Sequence, residues 1–268
     1  MTPSANATKL STTIIDPSSP QGHTHTIIFL HGRGDNAENF ARSLGYSTSS
    51  TGQTLIQHFP SARWVFPSSE LRPSARLANT FGGGMTSQWF DTWDVQNLSY
   101  RGELQLPGLG ESVASVLDNI HNEVQLLSGK WDRLVLAGIS QGGAVVMHCL
   151  LNLATPRDDV SRIGGVMGFS CRFPFPGRTL NETRKIVGVW QDGDEDGLIR
   201  NTPVLIEHCL DDPLVKIDTG RQVRDVMTGF GARVTWKEYE SGGHWISSPG
   251  GVDDAVAWLG EHVFAIER

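Results

Sequence analysis

The clearest chemistry in this 268-residue chain lies in one stretch, Leu134-Val135-Leu136-Ala137-Gly138-Ile139-Ser140-Gln141-Gly142-Gly143-Ala144. An apolar strand runs through a G-x-S-x-G turn into an apolar helix, and that context turns the short pattern into a nucleophile elbow. Gly138 and Gly142 are needed because a Cβ at either place would collide with the neighbouring strand or helix. The elbow holds Ser140 Oγ outward at a helix N-terminus, where free N–H groups and the helix dipole favour developing negative charge. The competing reading is a glycine-rich turn whose serine only caps the helix.

A serine needs a base, and the base needs an orienting acid. After such an elbow the partners follow in the order Asp or Glu, then His. Asp212 comes a short loop after the apolar run Val204-Leu205-Ile206, and His244 lies in the glycine-flanked loop Ser241-Gly242-Gly243-His244-Trp245. Asp211 competes with Asp212 for the acid. His208 competes with His244 for the base, but it ends an apolar run and reads more simply as a hydrogen-bonded structural histidine. The loop His31-Gly32-Arg33-Gly34-Asp35 follows another apolar run, and the backbone N–H groups of Arg33 and Gln141 are the expected oxyanion donors. His31 is expected to brace that loop.

These residues need a scaffold, and the pattern supplies one. Apolar runs at residues 26–30, 64–66, 134–137, 165–169, 204–206 and 234–236 read as strands, and those without polar alternation are buried on both faces. A first short strand is expected near residues 12–15, after a loose arm over residues 1–11. Between the strands lie helical patterns. The clearest is the stripe Val113, Val116, Leu117, Ile120, Val124 and Leu127; others cover roughly residues 144–153, 220–227 and 252–264. Strands alternating with helices predict an α/β fold, with a mainly parallel central sheet, helices on both faces, and one domain over residues 1–268. Two stretches, 68–108 and 172–202, fit the alternation poorly and read as cap-like excursions over the active face.

Composition narrows the function classes. With 22 Lys and Arg against 29 Asp and Glu, the chain is acidic and holds no basic block, which argues against nucleic acid as a partner. No apolar run approaches the roughly 20 residues of a membrane helix, and the start lacks the pattern of a signal peptide, so a cytoplasmic protein is expected. Cys149, Cys171 and Cys209 are odd in number and sit in apolar stretches, as reduced core thiols do. The sequons at Asn6, Asn97 and Asn181 then read as chance. His23 and His25 alternate on an early strand but make a weak metal pair. Asp192-Gly193-Asp194-Glu195-Asp196-Gly197 matches half a calcium loop, yet its twelfth position is Pro203 rather than a glutamate, so it reads as a solvated acidic loop.

Taken together, the chain resembles the acyl-protein thioesterase and phospholipase/carboxylesterase group of α/β-hydrolases. The likeness rests on Phe29-Leu30-His31-Gly32-Arg33-Gly34-Asp35, Trp89-Phe90-Asp91, Gly138-Ile139-Ser140-Gln141-Gly142-Gly143, Gly168-Phe169-Ser170-Cys171, Asp212-Pro213-Leu214-Val215 and Gly243-His244. The resemblance implies an α/β-hydrolase fold and cofactor-free hydrolysis of esters or thioesters, in the family type S-acylated proteins, lysophospholipids or small esters. Ser140 would be the nucleophile, His244 the base and Asp212 its orienting acid. The chain departs from the pattern at Arg33, where the typical thioesterase has leucine, at Cys209 after the histidine, and at Trp245. From these departures, Arg33, Trp89, Trp93 and Trp245 are expected to shape a mouth for a bulkier or acid-bearing substrate. The competing functions are hydrolysis of a specialised metabolite ester or lactone, and a non-catalytic binding member of the fold. Apolar residues in the two excursions suit either a lipid or a second subunit, leaving monomer and homodimer both open.

Overall fold

The structure, a computed structural model, describes residues 8–80, 84–155, 160–189 and 196–267. Nine strands occur among them: β1 (Thr12–Ile15), β2 (His25–Leu30), β3 (Ala62–Pro67), β4 (Leu71–Pro73), β5 (Met85–Ser87), β6 (Leu134–Ile139), β7 (Gly165–Phe169), β8 (Pro203–Cys209) and β9 (Arg233–Tyr239). Seven of them form one sheet in the order β1-β3-β2-β6-β7-β8-β9, antiparallel only where β1 meets β3. Every residue of β2, β6, β7 and β8 is buried, which is why their sequences carry no polar alternation.

Helices cover both faces: α1 (Ala37–Leu44), α2 (Leu55–His58), α3 (Gln105–Leu126), α4 (Gln141–Asn152), α5 (Leu180–Val187), α6 (Asp196–Asn201), α7 (Ile217–Gly229) and α8 (Gly250–His262). The strand period of two sorts the core into two layers. Ile27 and Phe29 of β2 pack with Phe40 of α1 and Trp258 of α8, whereas Ile28 and Leu30 pack with Val113 and Val116 of α3. Burying each such side chain contributes about 1.5–3 kcal/mol. Among the described residues no helix is long and apolar enough to cross a membrane.

Strand order also locates the crevice. From β2 the chain crosses to β3 on one side and later returns to lay β6 on the other. The order therefore reverses between β2 and β6, and ligands in open α/β sheets bind beyond the carboxyl ends of the strands at such a point. The loop after β2 and the elbow after β6 both open there.

The excursions are more ordered than their composition suggests. Residues 68–108 hold the β4–β5 hairpin and the start of α3, which begins eight residues before its apolar stripe. Gly84 closes that segment: its φ is +66°, and a Cβ would lie 2.5 Å from the Leu77 carbonyl oxygen. Gly82 and Gly83 lie outside the described residues. Residues 172–202 hold α5 and α6, and α5 starts at a capping box of Thr179 and Glu182. The same local signals mark α1, where Asn36 caps and Ala37, Phe40, Ala41 and Leu44 form one buried stripe. The sequence reading assigns neither helix.

Cys149, Cys171 and Cys209 are buried free thiols. His25 packs on the Phe264 ring, and His23 Nε2 meets Thr26 Oγ1. Most of the acidic loop, residues 192–195, lies outside the described residues, while Asp196 pairs with Arg184 at 2.9 Å.

Candidate active site

Ser140 sits between β6 and α4 with φ 54° and ψ −117°, a conformation that L-residues avoid and that persists only where surrounding structure imposes it. The glycines beside it show how. A Cβ on Gly138 would lie 2.4 Å from the Gly142 carbonyl, and one on Gly142 would lie 2.5 Å from the carbonyl oxygens of Leu30 and His31. Helix α4 can therefore start directly over the end of β2. The Ser140 N–H donates to the Phe169 carbonyl at 2.9 Å, tying the elbow to β7. Its hydroxyl makes no capping bond to α4, which disposes of the helix-cap reading.

The turn after β8 carries the acid. Asp212 is 2% exposed, and its carboxylate accepts three N–H donors: Leu214 and Val215 backbone at 2.8 and 2.9 Å on Oδ1, and His244 Nδ1 at 2.8 Å on Oδ2. Burial pushes its pKa up, but the His244 bond and the two backbone donors outweigh that and leave it below the ordinary carboxylate value. An Nδ1–H held by the carboxylate leaves Nε2 of His244 as the basic nitrogen. Asp211 does not touch the ring. Its exposed carboxylate accepts the N–H groups of Gly243 at 2.8 Å and Gly242 at 3.3 Å, fastening the loop that carries His244. His208 is buried, its Nε2–H donates to the Val215 carbonyl at 2.8 Å, and desolvation lowers its pKa. It braces the 212–215 turn from beneath.

The loop after β2 is held just as tightly. His31 is buried; its Nδ1–H donates to the Gly32 carbonyl at 2.7 Å and its Nε2 accepts the Ser69 N–H at 3.0 Å. The Gly34 N–H bonds the Ser87 carbonyl at 2.7 Å, so the β4–β5 hairpin supports the loop from outside. Gly32 approaches Ser140 closely, within 3.4 Å of its Cβ for a Cβ built on the glycine. Gln141 begins α4, and its side chain turns away from the site: Oε1 accepts the Trp89 N–H at 2.8 Å and Nε2 donates to the Phe90 carbonyl at 2.6 Å.

Ser140 and His244 face one cavity of about 290 Å³, walled also by Arg33, Val95, Arg172, Leu214 and Trp245. Such a chamber can take an acyl group, with Ser140 Oγ beside a helix N-terminus and a histidine base across from it. Two expectations about its walls need correction. Trp89 is fully buried in the α3–α4 core layer, with Nε1 donating to the His31 carbonyl at 2.8 Å, and does not reach the cavity. Trp93 is half-buried under the Arg101 guanidinium, 4.2 Å from its ring centroid, and is not among the lining residues. Arg33 lines the cavity, with its guanidinium held by Gln88 Oε1 and Ser74 Oγ, both at 2.9 Å. Of the three tryptophans Trp245 alone lines the cavity, its Nε1 bonded to Ser47 Oγ at 2.8 Å. Sequence reasoning missed Arg172. The signal available for it was a charge three residues after Phe169, which ends β7, on the same sheet edge as Ser140.

Known proteins resemble the chain in sequence and in fold. A family model described as Phospholipase/Carboxylesterase matches residues 11–250. Acyl-protein thioesterase 1 of Gibberella zeae is 26% identical over 261 residues, covering 92% of this chain and 93% of that protein. Acyl-protein thioesterase 1 of Cryptococcus neoformans is 30% identical over 211 residues, 78% of this chain and 75% of that protein. Among solved structures, Zea mays acyl-protein thioesterase 2 superposes with a TM-score of 0.67 at 23% identity, covering 94% of this chain and 99% of that one. Esterase PE8 gives 0.67 at 20% identity, covering 95% and 100%. At those identities the structural likeness is one of fold.

Proposed function

Because the chain belongs to the phospholipase/carboxylesterase family, we infer that it hydrolyses carboxylic esters or thioesters, and we propose that the reaction runs through an acyl-enzyme on Ser140, with the catalytic groups carried by a single domain. The observation that carries this reading is the strained Ser140 sharing a cavity with His244, whose Nδ1–H is held by Asp212.

In this reading Ser140 Oγ attacks the acyl carbonyl while His244 Nε2 takes its proton, and Asp212 stabilises the imidazolium. The backbone N–H groups of Gln141 and Arg33 receive the oxyanion, each donor supplying about 3 kcal/mol of transition-state stabilisation. His244 then returns the proton to the departing alcohol or thiol, and a water activated by the same nitrogen cleaves the acyl-enzyme. The bracing of the Arg33 loop by His31, Ser69 and Ser87 supports this role, since an oxyanion hole must be rigid before the charge develops. The thioesterase relatives favour S-acylated proteins as one substrate type and the carboxylesterase model favours small esters as another.

Intact mass after treatment with a fluorophosphonate probe tests the chemistry. One adduct on the wild type and none on Ser140→Ala is expected; an adduct surviving that substitution refutes the assignment. Rates on p-nitrophenyl esters of rising acyl length, beside a palmitoyl-cysteine peptide, then separate protein thioesterase from small-ester activity.

A further inference from the structure

Arg172 is a charged side chain in the cavity that the reaction does not use. It is 9% exposed, follows β7 on the edge where Ser140 stands, and walls the chamber. Its guanidinium donates to the carbonyls of Val95 and of Leu214, the latter at 3.2 Å, two residues that also wall the chamber. A guanidinium presents five N–H donors, so several remain beyond these two carbonyls. Among the described residues no ion pair joins it to a carboxylate. Asp212 and Asp94 act on it through charge alone, and the Asp212 oxygens are already taken by Leu214, Val215 and His244. Desolvation is the largest influence on it and pulls its pKa down.

Arg33 adds a second cation to the same wall, bonded to Ser74 and Gln88 and acted on by the charge of Asp91. The opposing charge among the lining residues is Asp35, whose carboxylate accepts the Asn36 N–H. A desolvated cation with no carboxylate in direct contact is costly. A plain hydrocarbon chain seated against Arg172 raises that cost by removing its remaining water, whereas a carboxylate removes it. Val95, Ile139, Leu214 and Val215 supply apolar wall for the methylenes between that carboxylate and the reacting carbonyl.

We propose that Arg172 is a specificity-determining residue that receives a carboxylate of the substrate, so that the preferred esters or thioesters are anionic rather than simple fatty-acyl compounds. This rests on the hydrolase reading above and narrows its substrate class.

The test compares kcat/KM for matched esters. In one arm the charge is on the acyl side: the 4-nitrophenyl half-ester of adipate against its neutral isostere ending in an isopropyl group. In the other it is on the leaving group: the butanoate of 4-hydroxybenzoate against the same compound as its methyl ester. The wild type is expected to favour the anion in one arm, and Arg172→Met to lower that anionic-to-neutral ratio about ten- to a hundredfold. The ratio is taken within one preparation, so a reduced active fraction cancels. Adipate titrated into the wild type by calorimetry gives a second reading that needs neither the variant nor activity; binding that weakens as salt rises is expected. The same ratio in both proteins, or no adipate binding by a wild type whose variant fails to fold, overturns the proposal. Failure of the wild type to hydrolyse any of these esters overturns the hydrolase reading instead, and the calorimetry still decides on the anion.

Discussion

Asp212→Asn separates the two adjacent aspartates by their hydrogen bonds. In the native turn Oδ1 serves two backbone N–H donors and Oδ2 serves His244. Asparagine offers one oxygen and one NH₂. Its oxygen must stay with Leu214 and Val215, since the reverse orientation sets NH₂ against two N–H groups. The NH₂ then faces His244 Nδ1, which has to accept, and the ring proton moves to Nε2 where the base is needed. Holding the wrong tautomer costs about 10³–10⁴-fold in kcat, or ~4–5.5 kcal/mol at about 1.4 kcal/mol per tenfold. Asp211→Ala removes two exposed bonds to the loop of His244. Each is worth about 0.5–1.5 kcal/mol, and only part of that reaches the transition state, so a loss of about tenfold is expected. The assay is p-nitrophenyl ester turnover in parallel with circular dichroism to confirm folding. A folded Asp212→Asn within tenfold of the wild type, or a larger loss in Asp211→Ala, refutes the assignment.

Two further predictions concern stability. The strain at Ser140, of order 1–3 kcal/mol, is relieved by glycine and not by alanine, against a glycine entropy cost of about 0.5–1 kcal/mol; Ser140→Gly should therefore unfold at higher denaturant than Ser140→Ala while both lose activity, and equal midpoints contradict the strain. Glu207 of β8 is buried, and desolvation followed by the charge of Asp254 pushes its pKa well above the ordinary 4.5. The folded protein keeps this proton while the unfolded chain releases it above that value, so the residue lowers stability progressively as pH rises past about 4.5. Glu207→Gln removes the dependence, and the stability of the variant relative to wild type should climb by up to about 1.4 kcal/mol per pH unit; a difference that stays constant from pH 5 to 8 rules the shift out.

Much of the site was legible because its signals are local. The elbow declares itself through Gly138, Ser140 and Gly142, whose spacing reflects contacts within a few residues and across one neighbouring strand end. An aspartate at 211 or 212, and His244, follow from the order in which strand ends return to the same edge of the sheet. Where the reading failed, the cause was packing between distant segments. Trp89 resembles a mouth residue in sequence, but the side chain of Gln141 locks its backbone and the ring fills the layer under α3. Arg33 does line the chamber, but what fixes its guanidinium there is Ser74 and Gln88, from an excursion without strand or helix period. The helices α1 and α5 escape the apolar pattern despite an Asn36 cap and a Thr179–Glu182 capping box, since short helices carry only two turns of apolar period.

The sequence by itself determined the sheet, its buried strands and the identity of the groups able to do acyl chemistry, because burial on both faces and a sharp glycine turn each leave a pattern readable over a few residues. Tertiary structure alone decided which aspartate holds the ring and which holds the loop, that Trp89 belongs to the core, and that Arg172 stands in the chamber with no ion pair to a carboxylate among the described residues. Those outcomes depend on which side chains meet after segments far apart in the chain converge at the reversal between β2 and β6, and no local pattern encodes that meeting.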